Sequence, residues 1–391
     1  MLAPHEDDRI QDRRLIENLP CILATIRGML ESSEVIARAQ MERDRRSKRQ
    51  YYSVIDLFLS YVVMLALGLG YDEVRHQLQD AYCEAIGLPR DLNGEWRRPS
   101  GSTICEFRRD VVDRISDELS MEIAVAMMDR VDVVRRGQGY IVVSIDSTPA
   151  QASRYNFDAE YNGHYRIRMD KMHIIMIDGH PLFMVPTDGN VGDNVPAREL
   201  LTRFGEAMSR TGLEGDDLKL MADGAYDSFR TFVDAYSILG LRLRCRIRDD
   251  AVIHEEASWP AVQARYCGMH RERGYDPHRK NDEAFVLHFL ERHGERELVG
   301  MYLRDRELER MRGQISDGVR DTDRSVCEVV HHSMKAWIDC STVKIRHRTR
   351  HIVLKSRFLV VQLLSLAFKG YVDIDTCREG CRKPCIDDAG T

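Results

Sequence analysis

The chain has no surplus of positive charge. Its 57 Lys and Arg face 63 Asp and Glu, a formal net charge of -6. That balance argues against a uniformly basic coat of the kind nucleic-acid binders carry, though it leaves room for local basic faces. Long hydrophobic runs are also missing. The longest, Leu57 to Tyr71, falls short of the ~20 residues a membrane span needs, and Asp56 precedes it. It is read as a buried core helix, and no membrane association is expected. The start, Met1-Leu-Ala-Pro-His-Glu-Asp-Asp8, is acidic and has no apolar core, so no export signal is expected. Closely spaced cysteine pairs are absent. The ten cysteines are scattered, which predicts a reducing, cytoplasmic setting rather than a disulfide framework. Cys377, Cys381 and Cys385 recur at spacing four, but zinc favours four ligands and closer pairs, and Gly380 and Pro384 interrupt a helix there. No internal repeat or low-complexity tract is evident.

What is present suits a soluble globular protein of two or three domains. The 391 residues are 43% hydrophobic, enough for a sizeable core, and 31% charged. Basic residues concentrate in two stretches. One holds Arg43, Arg45, Arg46, Lys48 and Arg49. The other, residues 320–357, holds Arg320, Arg324, Lys335, Lys344, Arg346, Arg348, Arg350, Lys355 and Arg357. Each is a candidate phosphate-facing surface or a solvated helix face.

Residues 1–135 read as helical and form the candidate DNA-binding region. Ser53 to Leu69 is apolar almost all round and reads as a buried helix. Thr103, three residues before Glu106, has capping-box spacing for a further helix, flanked by Arg97, Arg98, Arg108 and Arg109. A helix-turn-helix-like reader and a structural bundle fit this pattern equally. From Tyr140 the pattern changes to strands. Asn162-Gly163 and Asp178-Gly179 are hairpin signals between apolar runs, giving three consecutive antiparallel strands. Asn194 is placed to cap a helix through Leu200, Leu201 and Phe204. A strand ending at Asp223 and a helix from about Ser228 to Leu239 follow. This α/β order, residues 136–240, is close to that of ribonuclease H. Residues 241–310 read as an insertion with strand-like segments at Leu241–Ile247 and Glu297–Leu303. Residues 311–391 complete the core and end in a tail.

Three acids stand out by context. Asp146 closes the apolar run Ile141-Val-Val-Ser-Ile-Asp146, and Asp223 closes Leu218-Lys-Leu-Met-Ala-Asp223. A carboxylate closing a buried strand is costly to ionise unless cations offset its charge; otherwise it is a turn residue. Glu328 sits on a helix whose buried stripe is Val326, Val329, Val330, Met334 and Trp337. A second stripe carries Arg324, Glu328, His331 and Lys335, an acid between bases, or else a solvated face of i,i+4 pairs. Lys171 and His173 share one strand face and could meet a phosphate, or form a surface pair. Two strand-end carboxylates and one from a helix can hold two divalent ions for phosphoryl transfer.

These residues resemble the D-D-E transposases of insertion sequences. Asp146-Ser-Thr148 resembles the first motif. Lys171-Met-His173 with Asp178-Gly-His-Pro-Leu182 is similar to the family's Lys-x-His hairpin. Gly189-Asn-Val-Gly-Asp193 is similar to its Gly-Asn-x-x-Asp loop, and Asp223-Gly-Ala-Tyr226 to its second-aspartate motif. Arg324-x3-Glu328-x6-Lys335 is similar to the third motif of the Tyr-x2-Arg-x3-Glu-x6-Lys subfamily, with Asp321 where that pattern has tyrosine. The resemblance covers about residues 140–370.

The resemblance implies a ribonuclease H-like catalytic core with Asp146, Asp223 and Glu328 binding two Mg2+, or Mn2+, and no other cofactor. Arg324, Lys335, Lys171 and His173 would bind DNA phosphates. The partners implied are double-stranded DNA, both terminal inverted repeats and target, and a second copy in a synaptic homodimer, at the nucleoid in the cytoplasm. A ribonuclease H-like nuclease that cuts without joining is the rival enzyme. A non-catalytic DNA-binding protein descended from a transposase is the rival of another class. Trp259 in the insertion could wedge between bases, but reads better as a packed tryptophan.

Overall fold

A computed structural model describes residues 6–46, 51–135, 140–152, 159–248, 250–273, 282–316, 338, 342–343 and 347–368. These fall into two compact units. One runs to Leu119 and takes in Ile338 and the last described helix from Leu359; the other comprises the described residues of Ser120–Lys335 and Asp339–Phe358.

The first unit is helical, as the sequence predicts. Its elements are α1 (Glu6–Ser32), α2 (Glu34–Arg46), α3 (Val54–Ala66), α4 (Tyr71–Gln77), α5 (Asp80–Ile86), α6 (Gly101–Phe107), a π-helical turn (Arg108–Val112) and the start of α7 (Asp113–Arg135). Helix α3 is the buried helix expected from its all-round apolar surface. A full capping box starts it: Ser53 Oγ accepts from the Asp56 amide and Asp56 accepts from the Ser53 amide. The cap of α6 is Ser100 rather than Thr103. Ser100 Oγ accepts the Thr103 amide at 3.2 Å, so Thr103 occupies the third helical position instead of the cap. No single helix among the described residues is long and apolar enough to cross a membrane. Helices α3 and α4 meet the criteria only as a pair bent by 102°.

The second unit is built on a mixed sheet of β1 (Ile141–Ala152), β2 (Tyr161–Asn162), β3 (Ile167–Ile177), β4 (His180–Asp188), β5 (Leu218–Ala222), β6 (Leu243–Cys245) and β7 (Thr342–Val343). Strands β1, β3 and β4 form the antiparallel set. The β3–β4 hairpin turns at Asp178 (φ 48°) and Gly179 (φ 79°). Two successive left-handed residues make the turn whose twist matches the flanking strands. On its other side β1 pairs in parallel with β5, and β5 with β6. The main order β4-β3-β1-β5-β6 is that of a ribonuclease H-like sheet. Strand β7 extends the far end of β1.

Helices α8 (Ala197–Met208) and α9 (Phe229–Leu239) connect and flank these strands. Ser228 caps α9 through the Thr231 amide. Asn194 does not cap α8. The chain enters that helix through Pro196, whose missing N–H costs nothing at a helix start.

The insertion departs from expectation. Leu243–Cys245 is a strand, but it is the fifth core strand. Glu297–Leu303 is helical and lies within α12 (Arg296–Ser316), after α10 (Trp259–Glu272) and α11 (Glu283–Arg292). The buried positions Val299, Tyr302, Leu303 and Leu308 follow a helical period that a seven-residue window cannot separate from a strand. The region between β6 and the chain's final elements is therefore helical in its described parts. Trp259 packs on Tyr302, ring centroids 5.7 Å apart. The last described element is α13 (His347–Phe368).

Candidate active site

The parallel ladder between β1 and β5 runs from Ile141 opposite Leu218 to Ile145 opposite Ala222. Its next residues are Asp146 and Asp223. Directly opposed residues of a parallel pair project to the same side, and this register brings both aspartates to the same end of neighbouring strands. Asp146 is not at the end of β1 as expected. The strand continues to Ala152 because β3 goes on pairing with it through Gln151. Asp146 is the point where β1 outruns β5.

Local structure fixes both acids. Asp146 Oδ1 accepts the Ser147 amide at 2.8 Å. Asp223 caps a 3-10 turn, Gly224–Tyr226, with Oδ1 accepting the Ala225 amide at 2.8 Å. The turn presses against the end of β6. A Cβ at residue 224 would stand 2.8 Å from the Arg246 carbonyl, so glycine is required. The Cys245 thiol donates to the Asp223 carbonyl at 2.9 Å, and burial pushes that thiol's pKa far up, keeping it protonated as a donor. Arg304 of α12 grips Asp227 with Nε–Oδ1 2.8 Å and Nη2–Oδ2 3.1 Å, holding the loop from below.

A third aspartate, Asp193, organises the neighbouring face. It lies in the Gly189–Asp193 loop after β4. Its Oδ1 accepts from Lys171 Nζ at 2.7 Å and its Oδ2 from Ser147 Oγ at 3.1 Å. Lys171 Nζ also donates to the Val191 carbonyl at 2.9 Å. Lys171 is only 13% exposed. His173 has no exposed surface. Its Nε2 lies 2.9 Å from Thr187 Oγ1 and its Nδ1 3.4 Å from the Tyr226 hydroxyl. Burial pushes the imidazole pKa down to about 4; Asp193 opposes that shift and Lys171 adds to it. The ring is neutral near pH 7. The phosphate contact expected of His173 has no surface to form on, because the β3–β4 hairpin turns the ring inward.

The pKa of the Tyr165 hydroxyl is raised, first by burial and then by the negative charges of Asp193, Asp146 and Asp223. One phenol thus feels all three carboxylates. Carboxylate oxygens are the donors that suit a hard divalent cation.

Glu328, Arg324, His331 and Lys335 lie outside the described residues, as do the three tail cysteines. So does most of the 320–357 basic stretch. Of its described members Arg350 does not face solvent: it is fully buried against Asp170, with Nε–Oδ2 2.7 Å and Nη2–Oδ1 2.8 Å. Sequence reading missed this pair, because nothing local distinguishes Arg350 from its basic neighbours. Asp170 stands opposite Asp188 in the β3–β4 register, a like-charge pairing that costs stability unless balanced. His351 Nε2 lies 3.6 Å from Asp170 and 3.8 Å from Asp188. Asp170, Asp188 and His351 bring candidate ligand atoms within 4.8 Å of one another. They are four rungs along β3 from the Asp146 position, and Arg350 already supplies a balancing charge.

The profile of the transposase DDE domain matches residues 137–355, more than half of the chain. Searches of curated proteins and of solved structures find no significant match. The matched span takes in the whole ribonuclease H-like sheet with Asp146 and Asp223, and the chain belongs to the transposase DDE domain family.

Proposed function

We propose that this protein is a DNA transposase that cuts at the ends of its element and joins the freed ends to target DNA. The observation that supports the reading is the register of β1 and β5 in a ribonuclease H-like sheet, whose last rung, Ile145 opposite Ala222, directly precedes Asp146 and Asp223. Asp146 and Asp223, with Glu328 as the third acid, would hold two Mg2+, with Mn2+ able to substitute. Such ions supply Lewis-acid stabilisation of the phosphoryl oxygens and lower the pKa of an attacking hydroxyl. The chain's own residues do the positioning. Ser147 and Lys171 anchor Asp193, and His173, neutral and buried, braces Tyr226 beside the Asp223 turn. Arg324 and Lys335, of the Tyr-Arg-Glu-Lys third motif, hold DNA phosphates beside Glu328. Lys171 serves the same charge field from the strand. The helical residues 1–135 read the terminal repeats, the helices that follow β6 up to residue 310 support the core, and the segment after residue 310 completes it with the third acid. The working form is a homodimer on paired ends, at the nucleoid.

The test is a Mg2+-dependent cleavage and strand-transfer assay on DNA carrying the inverted repeats that flank the gene. Wild type should give cut and joined products, and Glu328→Gln should bind DNA and give neither. Cut products without joined ones would make the protein a nuclease. DNA binding with no metal-dependent cutting would make it a non-catalytic descendant.

A further inference from the structure

A second feature of the sheet-bearing unit has no part in metal chemistry. Asp234 of α9 is 2% exposed and three arginines converge on it. Arg198 Nη1 lies 3.2 Å from Oδ1, Arg230 Nε 3.8 Å from Oδ2 and Arg296 Nη2 2.5 Å from Oδ1. One carboxylate cannot use three guanidiniums, each with five donors. Arg296 also pairs with Glu291. Asp234 and Glu291 sit at the base, at 2% and 16% exposure, whereas Arg198, Arg230 and Arg296 are 53%, 74% and 36% exposed and share the rim with one exposed acid, Glu297. The three arginines line one cleft of about 520 Å3 with Phe229, Val233 and Glu297.

The placement breaks a local rule. Arg198, Arg230 and Arg296 occupy the first or second residues of α8, α9 and α12. A helix start carries a partial positive charge, so cations there are unfavourable and anions favourable. Departures of this kind concentrate at functional sites. The packing that produces it is tight: a Cβ at Gly300 of α12 would stand 2.2 Å from the Phe229 carbonyl, so α12 seats directly on the start of α9.

Topology places the cleft. Strand β4 runs parallel to β1 and β5, being antiparallel to β3 as β1 is. Helices α8 and α9 therefore begin at the same sheet edge where Asp146 and Asp223 stand. Asp193 precedes α8 by four residues, and Asp223 precedes α9 by six.

We propose that Arg198, Arg230 and Arg296 form a cradle for backbone phosphates of duplex DNA, seating the strand along the edge that carries the aspartates. The assignment rests on the transposase reading. Guanidinium forks match phosphate geometry with two donors each, independent of sequence.

The experiment measures the affinity of the full chain for a generic duplex oligonucleotide by fluorescence anisotropy at several salt concentrations. The Arg198→Ala/Arg230→Ala variant should bind about ten-fold or more weakly at low salt and lose about one to two units of log–log salt slope. Arg230→Ala alone, at the most exposed of the three, should lose about one unit without disturbing the fold. The paired Arg→Lys variant keeps the charge and should keep most of the slope. Unchanged affinity and slope in the paired alanine variant overturns the cradle. The cleavage assay with wild type separates this from the functional reading. Slope loss without any metal-dependent cleavage leaves the cradle and removes the transposase. Cleavage with unchanged slope does the reverse, and a wild type that binds no DNA removes both.

Discussion

Asp146 and Asp223 each follow directly on the last rung that joins β1 to β5, Ile145 opposite Ala222. The strands diverge in fate there: β1 continues to Ala152, while β5 ends and turns at Gly224. Asp223→Asn keeps the turn, since the amide oxygen can still accept the Ala225 amide, but removes the negative charge a hard cation needs. Metal-dependent cleavage should fall by more than ~100-fold, beyond the loss that outer-shell changes around a metal site produce. Duplex affinity should stay within a few-fold. Wild-type cleavage rates in the purified variant would remove Asp223 from the site.

Asp193 is the common partner of Lys171 and Ser147. Replacing it with Ala leaves the 13%-exposed ammonium of Lys171 without its carboxylate. Hydrogen bonds to charged groups contribute ~1.5–3 kcal/mol, so Asp193→Ala should cost about 2 kcal/mol in urea unfolding. A shift in midpoint with no change in denaturant slope identifies this as lost stability. No shift would mean that Lys171 is held by the Val191 carbonyl alone.

His173 makes stability depend on pH. Its folded pKa of about 4 lies below the ordinary 6.5. Between those values the unfolded chain binds a proton there that the folded chain does not, so stability falls as pH falls from 6.5 toward 4. Above 6.5 the contribution is complete. The drop across the window should be on the order of 3 kcal/mol, because a tenfold change in proton affinity corresponds to about 1.4 kcal/mol. Unfolding curves of wild type and His173→Gln at pH 7 and pH 5 check this. The variant should lose less stability over that interval, and equal losses would assign the pH dependence elsewhere.

Arg350 and Asp170 are both wholly buried and joined by two short contacts. Removing one partner strands the other charge away from water. Arg350→Ala should destabilise by ~3–5 kcal/mol. Replacing both, as Arg350→Met with Asp170→Leu, should recover part of that loss, also because it relieves the Asp170–Asp188 repulsion. A double variant less stable than Arg350→Ala alone would show that Asp170 is needed for Asp188 and His351 rather than for Arg350.

The sequence by itself determined the elements whose signals are local. The hairpin at Asp178-Gly179 follows from two residues that tolerate left-handed backbone. The burial of α3 follows from its apolar surface, and the start of α9 from Ser228. Asp146 and Asp223 stand out as candidates because a carboxylate after an apolar run is chemically conspicuous. Signals shared by two elements were not decided locally: Ser100 and Thr103 both can cap, and the apolar residues at 297–303 fit either period. Register was beyond local reading altogether. Which residue of β1 stands opposite β5 depends on pairing between segments over seventy residues apart, and only that pairing brings Asp146 and Asp223 to the same end of neighbouring strands. The same holds for charges. Arg350 and Arg230 are alike as residues, yet one is sealed against Asp170 and the other points a guanidinium into solvent over Asp234. Burial is a property of the packed chain, and it alone decides whether a charge balances a core or meets a partner.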